Sequence, residues 1–177
     1  MATAQACDKK MVQLAPCPCG APAAYAACCE RYLRRPRNGA NERTLEAGPR
    51  NGANERTLEA GEYLAAPTAE ALMRSRYSAY VARDATYLLA TWHASTRPRR
   101  LDFPAGLRWL GLTVVRHEQA DADHAVVEFV AHNEVRRLGL RQRRAAARTP
   151  SNTHIMHEVS RFVREADRWY YLDGVVS

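Results

Sequence analysis

APTAEALMRSRYSAYVARDATYLLATWH, residues Ala66–His93, decides the fold class. Pro67-Thr68 precedes a strongly helical stretch, AEALMRSRYSAYVARD, in which Thr68 offers an N-cap oxygen and Glu70 suits the positive end of the helix dipole. Leu72, Tyr77 (or Ser75 and Arg76), Tyr80 and Val81 mark a face with a period near 3.6 residues. After a break at Arg83-Asp84, a second short helix is expected over Ala85–Trp92. His93–Gly106 contains Pro98 and Pro104 and reads as loop.

Downstream the pattern changes to strands. RWLGLTVVRH (Arg108–His117), AVVEFVA (Ala125–Ala131), IMHEVSRFVR (Ile155–Arg164) and RWYYL (Arg168–Leu172) are rich in β-branched and aromatic residues. Turns are expected at Ala120–Asp123 and at Glu165–Asp167. Helices first and strands later predict an α+β domain, with helices on one face of an antiparallel sheet. Between the second and third strands, Glu134–Asn152 carries six arginines without interleaved aromatics, and reads as a solvated basic insertion.

Upstream, PRNGANERTLEAG at Pro36–Gly48 is copied without change at Pro49–Gly61. Two polar copies with Asn-Gly turn signals have little to bury, so 36–61 reads as a tandem-repeat linker. Residues 1–15 read as a flexible leader, with Cys7 an isolated thiol. The main domain is expected over 62–177.

The chain has 177 residues, 46% of them hydrophobic, which suits one domain with a small appendage. The formal net charge is +7. Only Lys9 and Lys10 are lysines, and arginine makes up the rest of the basic set beside many alanines. That skew fits a compositional bias better than a nucleic-acid interface, so nucleic acid is not the expected partner. No apolar run reaches the roughly 18 residues that span a bilayer. The N-terminus MATAQACDKKMVQLAPC lacks the apolar block of a signal peptide, so a cytoplasmic location is expected.

In a reducing compartment, clustered cysteines favour metal over disulfide. Cys17 and Cys19 supply two thiols, and Cys28 and Cys29 supply two more after eight intervening residues. Four sulfur donors suit tetrahedral Zn²⁺ and leave no open position for catalysis, so the ion is expected to be structural. A segment this small has almost no apolar core, and metal binding would provide about 10 kcal/mol of its folding free energy.

The pattern C-P-C-G-x₇-C-C is similar to the SEC-C motif, a zinc knuckle known from the tail of the bacterial preprotein translocase ATPase. All four ligand positions are present, although Gly20-Ala21-Pro22-Ala23 replaces the usual Gly-Ser-Gly-Lys stretch. The zinc knuckle is placed at 16–35. A second resemblance covers Ala66–His93, His157–Phe162 (HEVSRF) and Arg168–Gly174 (RWYYLDG), which look like the opening and ending of the YchJ family of bacterial proteins. It implies a cone-shaped fold of the nuclear transport factor 2 superfamily, with helices against a curved antiparallel sheet. It brings no established reaction.

Superfamily members often carry a pocket between helices and sheet. The resemblance therefore nominates Arg76, Tyr77, Tyr80, Trp92, His93, His157, Glu158, Trp169, Tyr171 and Asp173 as lining groups. Each also has a plainer structural role: the tyrosines and tryptophans as core, His93 as a helix-end cap, Glu158 with Arg161 as an ion pair, and Asp173-Gly174 as a turn. No nucleophile elbow, phosphate loop or metal-hydrolase pattern is present, so no catalytic residue is assigned. Two functions follow as expectations. One is an adaptor that uses the knuckle to contact a protein partner, near secretion or translation machinery. The other is a small-molecule-binding protein or enzyme using the cone pocket. Self-association is left open.

Overall fold

The structure, a computed structural model, describes residues 15–34, 63–135 and 153–177. Most of the leader with Cys7, the duplicated linker and residues 136–152 of the basic stretch lie outside the described residues.

The N-terminal segment forms a 3-10 turn at Tyr25–Ala27 and a one-turn helix, α1, at Glu30–Leu33. Helix α2 spans Ala69–Ala82 and α3 spans Ala85–Ala90. Thr68 caps α2 by accepting a hydrogen bond from the Ala71 N–H at 3.1 Å. Arg83 ends it in the left-handed region at φ 57°. Asp84 then caps α3 through the Tyr87 N–H at 3.0 Å. The Arg83-Asp84 break is thus a C-terminal stop fused to an N-terminal start. Helix α3 ends at Ala90, two residues short of expectation, because Thr91–His93 leaves to pair with a strand. The Tyr171 N–H donates to Thr91 O and the His93 N–H to Tyr171 O.

Four strands follow: β1 Leu107–Gln119, β2 His124–Val135, β3 Thr153–Glu165 and β4 Arg168–Val176. They form one antiparallel sheet in the order β1-β2-β3-β4. The class is α+β, as expected. Every strand is longer than its apolar block, because ladder hydrogen bonds continue through polar residues once pairing is established. So β2 runs on to Val135, into the stretch read as insertion, and Asp173-Gly174 lies inside β4 rather than in a turn. Irregularities in register at Trp109/Gly111, Val114/Arg116 and Arg161/Phe162 bend the ladders.

The β1–β2 turn is held by Asp121, whose Oδ1 accepts from the N–H groups of Asp123 and His124, both at 2.8 Å. The β3–β4 turn places Ala166 and Asp167 at φ 46° and 62°, the left-handed pair of a tight hairpin.

One face of β2 is buried at every second residue, Ala125, Val127, Phe129 and Ala131, and packs beneath the helices with Leu72, Met73, Tyr87 and Leu88. On the opposite face, His157 Nε2 meets Glu128 Oε1 at 2.8 Å and Arg116 Nε meets Glu128 Oε2 at 3.3 Å. Glu158 and Arg161 do not pair. A spacing of three along a strand puts them on opposite faces, and Arg161 forks onto the Asp173 carboxylate instead.

Helix α2 is buried on more than the expected face. Ser75, Arg76 and Tyr77 are all inside, Ser78 and Ala79 join them, and Val81 is exposed. Ser78 faces the cysteine-bearing segment, with its Oγ 3.9 Å from Cys17 Sγ, whereas Ser75 and Arg76 face α3, bonded to Tyr87 and Leu88.

Candidate functional site

Two constellations stand on either side of α2. The first is the cysteine cluster. Its four Sγ atoms lie within 4.8 Å of one another. Cys19 and Cys28 sulfurs are 3.7 Å apart, and Cys28 and Cys29 sulfurs 3.8 Å. A tetrahedron with Zn–S bonds of about 2.3 Å has sulfur–sulfur edges of about 3.8 Å, so the donor set fits the ion. None of the four is in a disulfide.

Electrostatics agrees with that chemistry. Hydrogen bonding from Cys29 holds the Cys19 thiol down at about 5. Burial pushes the Cys28 thiol up to about 11. The hydrogen bond with Cys19, and then burial, drive the Cys29 thiol far up. One thiolate is favoured and its neighbours resist ionising beside it. A divalent cation removes this conflict by compensating the charge.

The knuckle is not a separate bead. Cys17, Cys19 and Cys29 are buried, and they share one core cluster with α2, α3 and the sheet. Arg74 Nη1 donates to Cys19 O at 3.1 Å, and Cys17 Sγ lies 3.9 Å from Ser78 Oγ. Gly20, at φ 76°, approaches the sheet so closely that a Cβ would sit 3.0 Å from Leu112 O. Tyr32 of α1 is 4% exposed.

The second constellation is a cavity of about 250 Å³ between α2, the loop before β1 and the inner face of the sheet. Of the residues nominated from sequence, Arg76, Tyr77, Tyr80, Glu158 and Tyr171 line it. Trp92, His93, His157, Trp169 and Asp173 do not. Trp92 stacks edge-on against Tyr171 with ring centroids 4.8 Å apart. His93 points outward, with Nε2 at 3.1 Å from Glu165 Oε1 and Nδ1 at 2.6 Å from Ser95 Oγ. Its side chain caps no helix carbonyl; the Thr91 hydroxyl does, donating to Tyr87 O at 2.8 Å. Trp169 is buried in the core, and Asp173 holds Arg161 on the outer face.

Sequence reading missed Met73, Trp109, Phe129, Met156, Ser160 and Phe162, together with Asp102, Phe103, Pro104 and Leu107 from the loop and the start of β1, where Asp102 is paired with Arg100 at 2.8 Å. A signal existed for the β3 members. Met156, Glu158, Ser160 and Phe162 are successive alternate residues of one strand. No local signal places Phe103, which comes from a loop.

At the cavity floor Arg76 is 4% exposed. Its Nη1 donates to Leu88 O at 2.7 Å and to Thr91 Oγ1 at 2.8 Å. Its guanidinium sits 5.1 Å from the Trp92 ring centroid and 4.6 Å from that of Tyr171. Burial pulls the group below its ordinary value, opposed by the surrounding tyrosines and Glu158. An arginine starts so high that it stays charged. Glu158 Oε1 accepts from Ser160 Oγ at 2.6 Å and from Tyr171 Oη at 3.1 Å. Burial pushes the Tyr77 hydroxyl up to about 12 and raises Tyr80 and Tyr171 as well, so the phenols stay neutral donors.

Comparison with known proteins places the chain in a family. A family profile described as "YchJ, middle NTF2-like domain" matches residues 68–174. The chain belongs to the YchJ family. A UPF0225 protein of Polaromonas naphthalenivorans is 44% identical, over 90% of this chain and 96% of the relative. A relative from Bordetella parapertussis is 43% identical, over 90% and 92%. Two solved structures, both titled as SEC-C motif containing proteins, are similar throughout. The one from Rhodopseudomonas palustris has 26% identity and a TM-score of 0.58, covering 91% of this chain and 98% of that one. The one from Psychrobacter arcticus has 27% identity and a TM-score of 0.59, covering 94% and 85%. This YchJ-family chain therefore has an NTF2-like domain and a four-cysteine group able to hold a metal ion. No helix among its described residues is long and apolar enough to cross a membrane.

Proposed function

We propose that the protein is a small-molecule-binding protein in which a structural zinc knuckle braces the wall of the binding cavity. The cysteines would take Zn²⁺ in the reducing cytoplasm, and the ion would order the 15–34 segment against α2. Helix α2 carries Arg74 and Ser78 toward the knuckle and Met73, Arg76, Tyr77 and Tyr80 toward the cavity. Stiffness on the first side holds lining groups in place on the second, so less order has to be gained when a ligand binds.

The observation that carries this reading is the cavity floor. A buried arginine opposite a carboxylate, under an aromatic roof, is how small-molecule sites combine apolar surface with a few polar groups. The adaptor role expected of the knuckle needs surface left over for a partner. Its cysteines, α1 and Gly20 are instead packed on the chain's own core, which favours the cavity.

The test is a thermal-shift screen of small ring-bearing metabolites against wild type and Met156→Phe, which fills the cavity from β3. Compounds should raise the Tm of wild type and lose that effect in the filled variant. No stabilising compound, or compounds indifferent to the filling, would overturn the reading.

A further inference from the structure

Arg76 is a buried cation whose hydrogen bonding is incomplete. Only Nη1 has acceptors; Nε and Nη2 bond no described residue but are not sealed from solvent, and no carboxylate among those residues lies within ion-pair reach. Ring faces of Trp92 and Tyr171 offset part of the lost hydration, but a buried guanidinium normally takes a paired acceptor as well. Glu158 mirrors this. Its Oε1 has two donors, whereas Oε2 has none among the described residues.

Tyr171 stands between the two charges. Its ring lies 4.6 Å from the Arg76 guanidinium, and its hydroxyl donates to Glu158. The side chain thus keeps opposite charges apart, each with spare hydrogen-bonding capacity facing one space. Gly174 makes this arrangement fit. A Cβ there would collide with the Glu158 carboxylate and come within 3.0 Å of Tyr171 Oη.

We propose that the cavity takes a small zwitterion of the amino-acid type, its carboxylate on Arg76, its ammonium on Glu158, and its apolar or aromatic side chain among Tyr77, Trp109 and Phe129. The inference rests on the small-molecule reading above. A lone carboxylate would satisfy the guanidinium fork but sit in the field of Glu158. A lone amine would have the converse problem. A zwitterion meets both groups, leaves the net charge of the floor unchanged, and places its ammonium near aromatic faces. At about 250 Å³ the cavity is smaller than typical drug-sized pockets, about 300–1,000 Å³, which limits the occupant to about one ring.

The test is isothermal titration of full-length, metal-loaded protein with L-phenylalanine, 3-phenylpropanoate and 2-phenylethylamine. Wild type should bind the zwitterion at least about tenfold more tightly than either half-charged analogue. Glu158→Gln, which preserves shape, should remove the advantage over the acid, and Arg76→Met the advantage over the amine. Gly174→Ala should weaken the zwitterion while leaving the acid nearly unchanged. Binding of the acid or the amine as tight as the zwitterion would overturn the proposal, as would no binding of any of the three. If metabolites from the thermal-shift screen still bind the cavity while all three probes fail, the ligand class is wrong and the binding function stands. If the screen is also empty, both fall.

Discussion

Stripping the metal should destabilise the whole domain, not the knuckle alone. The perturbation is chelation, or Cys19→Ser in a sulfur position that is 0% exposed. The segment's few apolar contacts with the core are too small to order it without the ion. Its contacts with α2 would go with it. Tyr32, 4% exposed, would return to solvent at about 2–3 kcal/mol. The charge-assisted bond from Arg74 to Cys19 O would be lost at about 1 kcal/mol, the low end because Arg74 keeps 25% of its side-chain surface in water. The total is about 3–4 kcal/mol. For a chain of this size that lowers Tm by about 10 °C. Differential scanning calorimetry of metal-loaded, chelated and Cys19→Ser protein measures it, with zinc content read by elemental analysis. Wild type should contain stoichiometric zinc, and one transition should move down in the other two samples. An unchanged main transition after verified metal loss would refute the argument that the knuckle braces α2. Protein purified without metal yet equally stable would refute the metal site itself.

Other expectations concern local energetics, each read as ΔG by chemical denaturation. Ser75 donates its hydroxyl to Leu72 O, so the 2.7 Å bond to Tyr87 is donated by the tyrosine; Tyr87→Phe should cost about 1 kcal/mol, and no loss would mean that bond is idle. Asp84→Ala removes the α3 cap and should cost about 1 kcal/mol, with Asp84→Asn largely restoring it. Ala166→Asn with Asp167→Gly puts better left-handed formers at φ 46° and 62°, and should stabilise by about 1 kcal/mol. A destabilised double variant would show that the turn side chains contribute contacts beyond their backbone angles.

Much of the architecture was legible because it is local. Thr68, Glu70 and the apolar spacing of Ala69–Ala82 announce a capped helix, and Asp84 announces the next. Ala125–Ala131 is an almost unbroken apolar run rich in β-branched and aromatic residues, which marks β2 as a strand, but with Val126 and Val130 as apolar as Val127 and Phe129 only the structure decides which face is buried. The strand ends at Val135 and Val176 lie past the apolar blocks, where ladder pairing with Leu107 and Glu158, distant in sequence, carries the strands on. His93–Gly106 reads as loop from its prolines, and a loop carries no periodicity to aim its side chains, so nothing local places Phe103 in the cavity wall.

The division of labour between the two levels is physical. Clustered cysteines together with the SEC-C resemblance pointed to a four-sulfur donor set, and local sequence pattern pointed to helices before strands, because neighbours in sequence are neighbours in space over those distances. Only the tertiary structure decided that α2 is enclosed from two sides, that Arg76 and Glu158 face one cavity while His93 and Asp173 face away, and that Gly174 leaves room for a carboxylate. Those facts depend on chain segments far apart in sequence arriving at the same place. Packing, not local propensity, decides which side chain points into that space.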